Sequence, residues 1–380
     1  LCRRIADIYE TRLGETDEAI DSYRDVLSRF GSDEATLAAL TRLYGQSERW
    51  DDLLEVTEMR ASNAVDAEAR VAYQFQAAEL MRTRTGQVER AFELYRELLE
   101  LAPGHAPSVA ALEEMTAGSD PRLRVNAANR LLEQYENEER HADQVRMLEI
   151  VAVGDDPSER VRALLRAAEV SETGTGNIGA AFELTGRALR EGVELGEIER
   201  VLNDYERHAE TTERFTELTE TLGKIAPELL DADLRTSVRM RAARIAESRL
   251  ADADLARAQY QGVLEEQPDH EDALDALLRL VEDSGETREL VELLRRKGEL
   301  FNDSVERAAL LVRLAHLYQS ELDDPESAIE AIDRALGEAD HPLEFEGLER
   351  LYRRSQRWEE LSTLYEREID QRIGDPAAVR

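Results

Sequence analysis

The chain has 380 residues, 42% of them hydrophobic and 34% charged, and its 48 basic and 83 acidic side chains leave a formal net charge of −35. So acidic a surface repels phosphate backbones and anionic bilayers, which argues against nucleic acid as a partner. Cys2 is the only cysteine, which excludes an intrachain disulfide and a cysteine zinc site, and no stretch approaches the roughly 18 apolar residues of a membrane-spanning helix.

The first ten residues, LCRRIADIYE, read as helix without a start methionine or signal peptide. The chain is therefore expected to be a segment of a longer protein, and the lone cysteine favours the cytoplasm. A second helix is expected to run to Phe30, with Gly31 and Ser32 marking its end and the next start. SERWDDL at 47–53 then opens a further helix, with acids placed where a helix N-terminus favours negative charge. Around residue 120 the stretch GSDPRLRVNAANRLLEQYENEERHADQ adds about eighteen residues to one repeat, and the spacing predicts irregular hairpins and a kink at 115–145. DDPSE places Asp156 as an N-cap, Pro157 at the first helical position and Glu159 at the third; DDPES repeats this at Asp324 and Pro325. GTGNIG at 174–179 spells a dinucleotide fingerprint, but a helical segment precedes it where the fingerprint requires a strand, so it reads as an inter-helix turn. Asp231 and Asp252 lack the glycine and glutamate of a calcium loop, and in NDS at 302–304 the Asp or Ser reads as a helix cap. SQRWEEL at 355–361 repeats the earlier phrase, ERFTEL at 213–218 is a relative, and Trp50, Phe215 and Trp358 are expected to wedge between helices.

These segments belong to one repeat. An alanine recurs at Ala6, Ala78, Ala168, Ala243 and Ala315, and a second follows thirteen residues later each time, at Ala19, Ala91, Ala181, Ala256 and Ala328. Large side chains follow the second alanine at Tyr23, Tyr95 and Tyr260, and Pro103 and Pro268 close the second helix. Copies are spaced 72, 90, 75 and 72 residues apart, and Leu53, Leu290 and Leu361 divide three of them into hairpins of about 34 residues. Paired alanines suit the close crossing of two helices.

On these residues, with Tyr9 and Tyr318 following the first alanine, the chain resembles the tetratricopeptide-repeat family over nearly its whole length. The turn is one residue longer than the family's, and the second hairpin of each copy lacks the alanines. The resemblance implies an all-α, right-handed α-solenoid of about ten hairpins in five double units, at 1–66, 67–155, 156–232, 233–305 and 306–380. It also implies a protein-interaction scaffold without catalysis; the alternative is a regulatory or spacer region attached to a catalytic domain elsewhere. First helices of the hairpins would line a concave groove. Its candidate residues are Asp7, Glu79, Glu169, Arg244 and His316, then Glu10 and Arg82 one turn on, and Arg42, Arg279 and Arg350 in the second hairpins. Recurring arginines suit carboxylates on an extended, otherwise basic protein segment, or alternatively a salt-bridge ladder between adjacent helices. The asparagines and lysines with which chaperone-binding family members clamp a C-terminal carboxylate are absent from these positions. No metal-ligand pattern or cofactor motif is present, and no nucleophile is paired with a base.

Overall fold

The structure, a computed structural model, describes residues 2–192, 195–300, 303–338, 349–350, 352–353 and 356–374. Among them every regular element is helical. The chain divides into two compact units, 1–212 and 213–380. The first unit holds α1 (Cys2–Ile8), α2 (Thr16–Phe30), α3 (Glu34–Gln46), α4 (Trp50–Asn63), α5 (Ala67–Leu80) and α6 (Val88–Leu101). It continues with α7 (Ala106–Thr116), α8 (Pro121–Asn137), α9 (His141–Val151), α10 (Pro157–Thr173), α11 (Ile178–Glu191) and α12 (Leu195–Thr212). The second holds α13 (Phe215–Ile225), α14 (Ala232–Ile245), α15 (Ala253–Glu266), α16 (Glu271–Ser284) and α17 (Thr287–Leu300). Its remaining helices are α18 (Ser304–Ser320), α19 (Pro325–Glu338) and α20 (Trp358–Gly374). Within each unit consecutive helices pack antiparallel on their sequence neighbours, the arrangement of an α-solenoid.

Helix starts follow local chemistry. Asp33, Asp66, Asp120, Asp156, Asp231, Asp252 and Asp303 each accept a hydrogen bond from a backbone N–H in the first turn. An aspartate cap of this kind contributes about 1 kcal/mol. Asp231, Asp252 and Asp303 are thus caps. GTGNIG is the turn between α10 and α11: Gly176 has φ +67°, and the Asn177 side chain accepts from the Ala180 N–H at 3.0 Å.

Two turn types punctuate the chain. In one, the last turn of the first helix widens into a π-turn at Tyr9–Leu13, Met81–Thr85 and Ala246–Leu250. Its closing bond spans six residues, as in Glu15 N–H to Tyr9 C=O at 3.1 Å and Asp252 N–H to Ala246 C=O at 3.0 Å. That closure is the physical form of the extra turn residue. A left-handed residue stands five positions before the second alanine in all five copies, at Gly14, Gly86, Gly176, Ala251 and Asp323. In the other type Glu48, Glu139, Glu213, Gly285 or Gln356 takes positive φ. Where an arginine follows, it folds back on the new helix: Arg49 pairs with Asp52, Arg140 with Asp143, Arg214 with Glu217 and Arg357 with Glu360. The recurring phrase that contains the tryptophans is therefore a turn-and-start motif, and ERHAD at 139–143 is another copy of it.

The alanine pairs lie where first and second helices cross, and all ten are at most 4% exposed. Each lets the backbones approach closely enough for flanking leucines and tyrosines to interlock. Tyr23, Tyr95 and Tyr260, four residues after the second alanine, are buried with them.

Two expectations are corrected. Residues 115–145 are regular. Asp120 caps α8 by accepting from the Arg122 and Leu123 N–H groups at 2.8 and 3.1 Å. Ala127, Ala128, Leu131 and Tyr135 continue the same core as the flanking helices. Residues 67–155 hold five helices, α5 to α9, so the surplus is one whole helix. A helix with its own apolar stripe joins such a stack without breaking the core. Trp358, expected to wedge between helices, is 61% exposed. Trp50 and Phe215 are partly buried because an arginine from the following repeat covers each ring, Arg84 at 4.7 Å and Arg249 at 5.3 Å. No described helix follows α20 to cover Trp358.

Candidate functional site

The charged residues of the first helices form rows that join one hairpin to the next. Glu10, in the π-turn after α1, accepts from the Tyr23 hydroxyl at 3.2 Å and from Arg42 Nε of α3 at 2.9 Å. Asp7, one turn earlier, accepts from the same hydroxyl at 2.5 Å. In the next copy Tyr95 donates to Glu79, Arg82 pairs with Glu79 at 2.9 Å, and Arg82 reaches Glu114 of α7 at 2.7 Å. There the cation stands on the first hairpin and the acid on the second. In the second unit Glu247 accepts from Tyr260 at 3.0 Å and pairs with Arg279 of α16 at 3.5 Å. Arg244, one turn earlier, pairs with Asp272 at 3.5 Å.

Tyrosine from the second helix and acid from the first thus recur as a bridge, with the arginine supplied by the next hairpin at Arg42 and Arg279 and by the first hairpin at Arg82. Burial and the carboxylate at the hydroxyl push the Tyr260 phenol up to about 12, and the same causes raise Tyr23 and Tyr95. These phenols stay neutral donors across the physiological range.

The copy on α10 departs from this scheme. Thr185 occupies the tyrosine position, and α12 supplies the partners instead. Arg207 Nη2 and His208 Nε2 each lie 3.0 Å from Glu172 Oε2. Hydrogen bonds from Arg207, then from His208, hold the Glu172 carboxyl down at about 2. Arg207 and His208 escape a sequence reading because the step from Glu172 is 35 residues, against 32 from Glu10 to Arg42. Glu114 escapes it because its polarity is reversed.

The rows border clefts between first helices. One of about 530 Å³, between α10 and α12, is lined by Arg162, Arg166, Glu169, Glu172, Arg200 and Arg207 among others. A second of about 500 Å³ lies over Tyr260 between α14 and α16 and includes Arg244, Glu247 and Arg279. A third of about 610 Å³ shares Asp275 and Arg279 with it and extends to Arg313 of α18. Thus Glu169, Arg244 and Arg279 line clefts, and Asp7, Glu10, Arg42, Glu79 and Arg82 belong to the bridges of the first two copies. His316 and Arg350 are exposed on α18 and at residue 350. Among the described residues no helix is long and apolar enough to cross a membrane.

Residues 4–32 and 345–377 match models of the tetratricopeptide repeat. No curated protein matches the sequence. Among solved structures, the chain is similar to the C-terminal part of a TPR repeat-containing protein from Cytophaga hutchinsonii, at 13% identity and a TM-score of 0.24, over 72% of this chain and 99% of that one. It is also similar to the APC/C hetero-tetramer Cut9-Hcn1, at 10% identity and a TM-score of 0.23, over 93% of this chain and 83% of that one. With repeat matches near both ends and alanine-crossed hairpins between them, the chain is a tetratricopeptide-like array of helical repeats.

Proposed function

We propose that this array is a protein-interaction scaffold whose first-helix face receives an extended or helical protein segment without acting on it chemically. The supporting observation is that each unit has clefts between first helices bordered by arginines and acids, with ion pairs open to solvent. Arg279 is 66% exposed while paired to Glu247. An ion pair this wet is worth about 0–1 kcal/mol, so a ligand carboxylate can take over the arginine at little cost. The surrounding acids, in a chain of net charge −35, select a segment that is otherwise basic. Long-range attraction then falls with salt over a screening length of about 8 Å, while direct contacts persist.

The test is binding of basic peptides, with and without interspersed glutamates, to the full chain and to the double reversal Arg279→Glu, Arg350→Glu. The glutamate-bearing peptides should lose at least about tenfold in affinity, roughly 1.4 kcal/mol, with helical ellipticity unchanged. An affinity indifferent to the reversal, or a cross-linked footprint confined to the second helices, removes the groove reading.

A further inference from the structure

The surplus helix turns the repeat over within the first unit. Charged pairs that skip one helix sort into two sets. In one, Arg42 of α3 reaches Glu10 after α1, Arg82 after α5 reaches Glu114 of α7, Arg146 of α9 reaches Glu113 of α7, and Arg187 of α11 reaches Glu149 of α9. These helices are the odd-numbered ones. In the other, Arg90 of α6 reaches Glu58 of α4, Arg166 of α10 reaches Glu136 of α8, and Arg207 of α12 reaches Glu172 of α10. In a stack of antiparallel neighbours the odd and even helices are the two layers. Five helices instead of four separate α10 from the start of the second copy, so α1 and α5 lie in the odd layer, whereas α10, the first helix of its own copy, lies in the even one. The cleft between α10 and α12 therefore belongs to the opposite layer from Glu10, Arg42 and Arg82.

That cleft also differs in how its arginines are held. The four odd-layer arginines are each held by an acid from another helix. In the cleft, Arg162 is exposed and has no ion-pair partner among the described residues. Arg200 reaches Glu197 and Asp204 of its own helix at 3.8 and 4.0 Å, the outer limit of an ion pair. Arg166 pairs with Glu136 while half of its side chain stays open to water. Arg162 and Arg166, one turn apart, stand on the α10 wall, and Arg200 stands on the α12 wall. His208 in the same lining is 2% exposed, and its Nδ1 has no hydrogen-bond partner. Four arginines meet four acids in this lining, whereas the whole chain carries 48 basic and 83 acidic side chains. An anion entering here meets guanidinium groups without the acidic excess of the chain as a whole.

We propose that this cleft holds the phosphoryl group of a phosphorylated serine or threonine on a protein segment, with Arg162 and Arg166 on one wall and Arg200 on the other. A phosphoryl group carries close to two negative charges at neutral pH and three acceptor oxygens, so it can bond guanidinium groups from both walls at once. A carboxylate has two oxygens and is matched by a single guanidinium fork. Nucleic acid and anionic bilayers bring many charges against a net −35, whereas one modified side chain brings its charge only to the arginines. The cleft's volume of about 530 Å³ takes the side chain together with its flanking backbone. This site is on the other layer from the bridges of the first two copies and does not depend on their binding a ligand.

The test is calorimetric titration of the full chain with a phosphoserine peptide of uncharged flanking residues, its unphosphorylated parent, the same peptide with glutamate in place of the phosphoserine, and inorganic phosphate. The phosphopeptide should bind at least about tenfold more tightly than the parent and the glutamate peptide. Arg162→Ala combined with Arg200→Ala should remove that preference. Both side chains are exposed, so helical ellipticity should not change. Arg42→Ala, on the other layer, should leave the preference intact. A phosphopeptide that binds no better than its parent, or a preference that survives the double variant or is lost with Arg42→Ala, overturns the proposal. A glutamate peptide that binds as tightly makes the cleft a carboxylate site, and inorganic phosphate that binds as tightly makes it a general anion site; either result overturns the phosphosegment reading.

Discussion

Gly174 is the first glycine of the phosphate-like signature, and the structure gives it a packing role that mutation can measure. It has φ −89° and ψ −44°, so an alanine there meets no backbone strain. Its difficulty is space: an added Cβ would lie 2.6 Å from His141 Cγ and 2.9 Å from His141 Cβ and Nδ1. Rotating the ring relieves the first and third contacts but leaves the Cβ–Cβ approach, so α9 and α10 must separate. Overpacking of this size costs about 1–3 kcal/mol, and the lower chain entropy of alanine returns about 0.4–1. Gly174→Ala should therefore destabilise by about 0.5–2 kcal/mol. Because hairpins open locally, the loss should appear in amide exchange of α9 and α10 before it lowers the whole urea transition. In a His141→Gly background the opposing Cβ is gone with the ring, and the cost of Gly174→Ala should drop by about 0.5–2 kcal/mol, the coupling expected of touching residues. If Gly174→Ala is neutral, or costs the same with and without the His141 side chain, the close-packed joint is not what requires the glycine.

Ala91→Val inserts two methyl groups where α5 and α6 cross at a fully buried site, and thermal unfolding should show a loss of about 1–3 kcal/mol. The two tryptophans should behave oppositely. Trp50→Ala gives up packing and the Arg84 contact for about 1.5–3 kcal/mol, whereas Trp358→Ala should stay within about 0.5 kcal/mol in the same melting experiment. Glu172 tests the α10 to α12 bridge. A carboxyl held below its unfolded value adds stability that is present above pH 4.5 and is lost as pH falls toward about 2. Its side-chain carbon should titrate near that lower value by NMR, and a midpoint at the ordinary glutamate value would show that Arg207 and His208 do not hold it. Glu172→Gln should also remove the corresponding acid-limb slope from the stability profile.

The repeat was legible because its constraints are local or periodic. Alanine pairs thirteen residues apart mark two helix faces that must touch, and aspartates and prolines announce helix starts through their own backbone chemistry. These features are enough to identify the hairpins and the all-α class without any long-range information. Pairings across hairpins were not legible. Which acid meets Arg42, Arg82 or Arg207 depends on how far the next first helix has slid and rotated, and a three-residue change in spacing or an exchange of charge hides the partner. The surplus near residue 120 looked irregular because its turn carries His141 where Trp50 and Phe215 stand elsewhere. Only the packing shows that His141 occupies the same joint, against the one residue small enough to receive it. Trp358 reads in sequence like Trp50, yet burial belongs to the neighbour that covers a side chain, and that neighbour exists only in the tertiary structure.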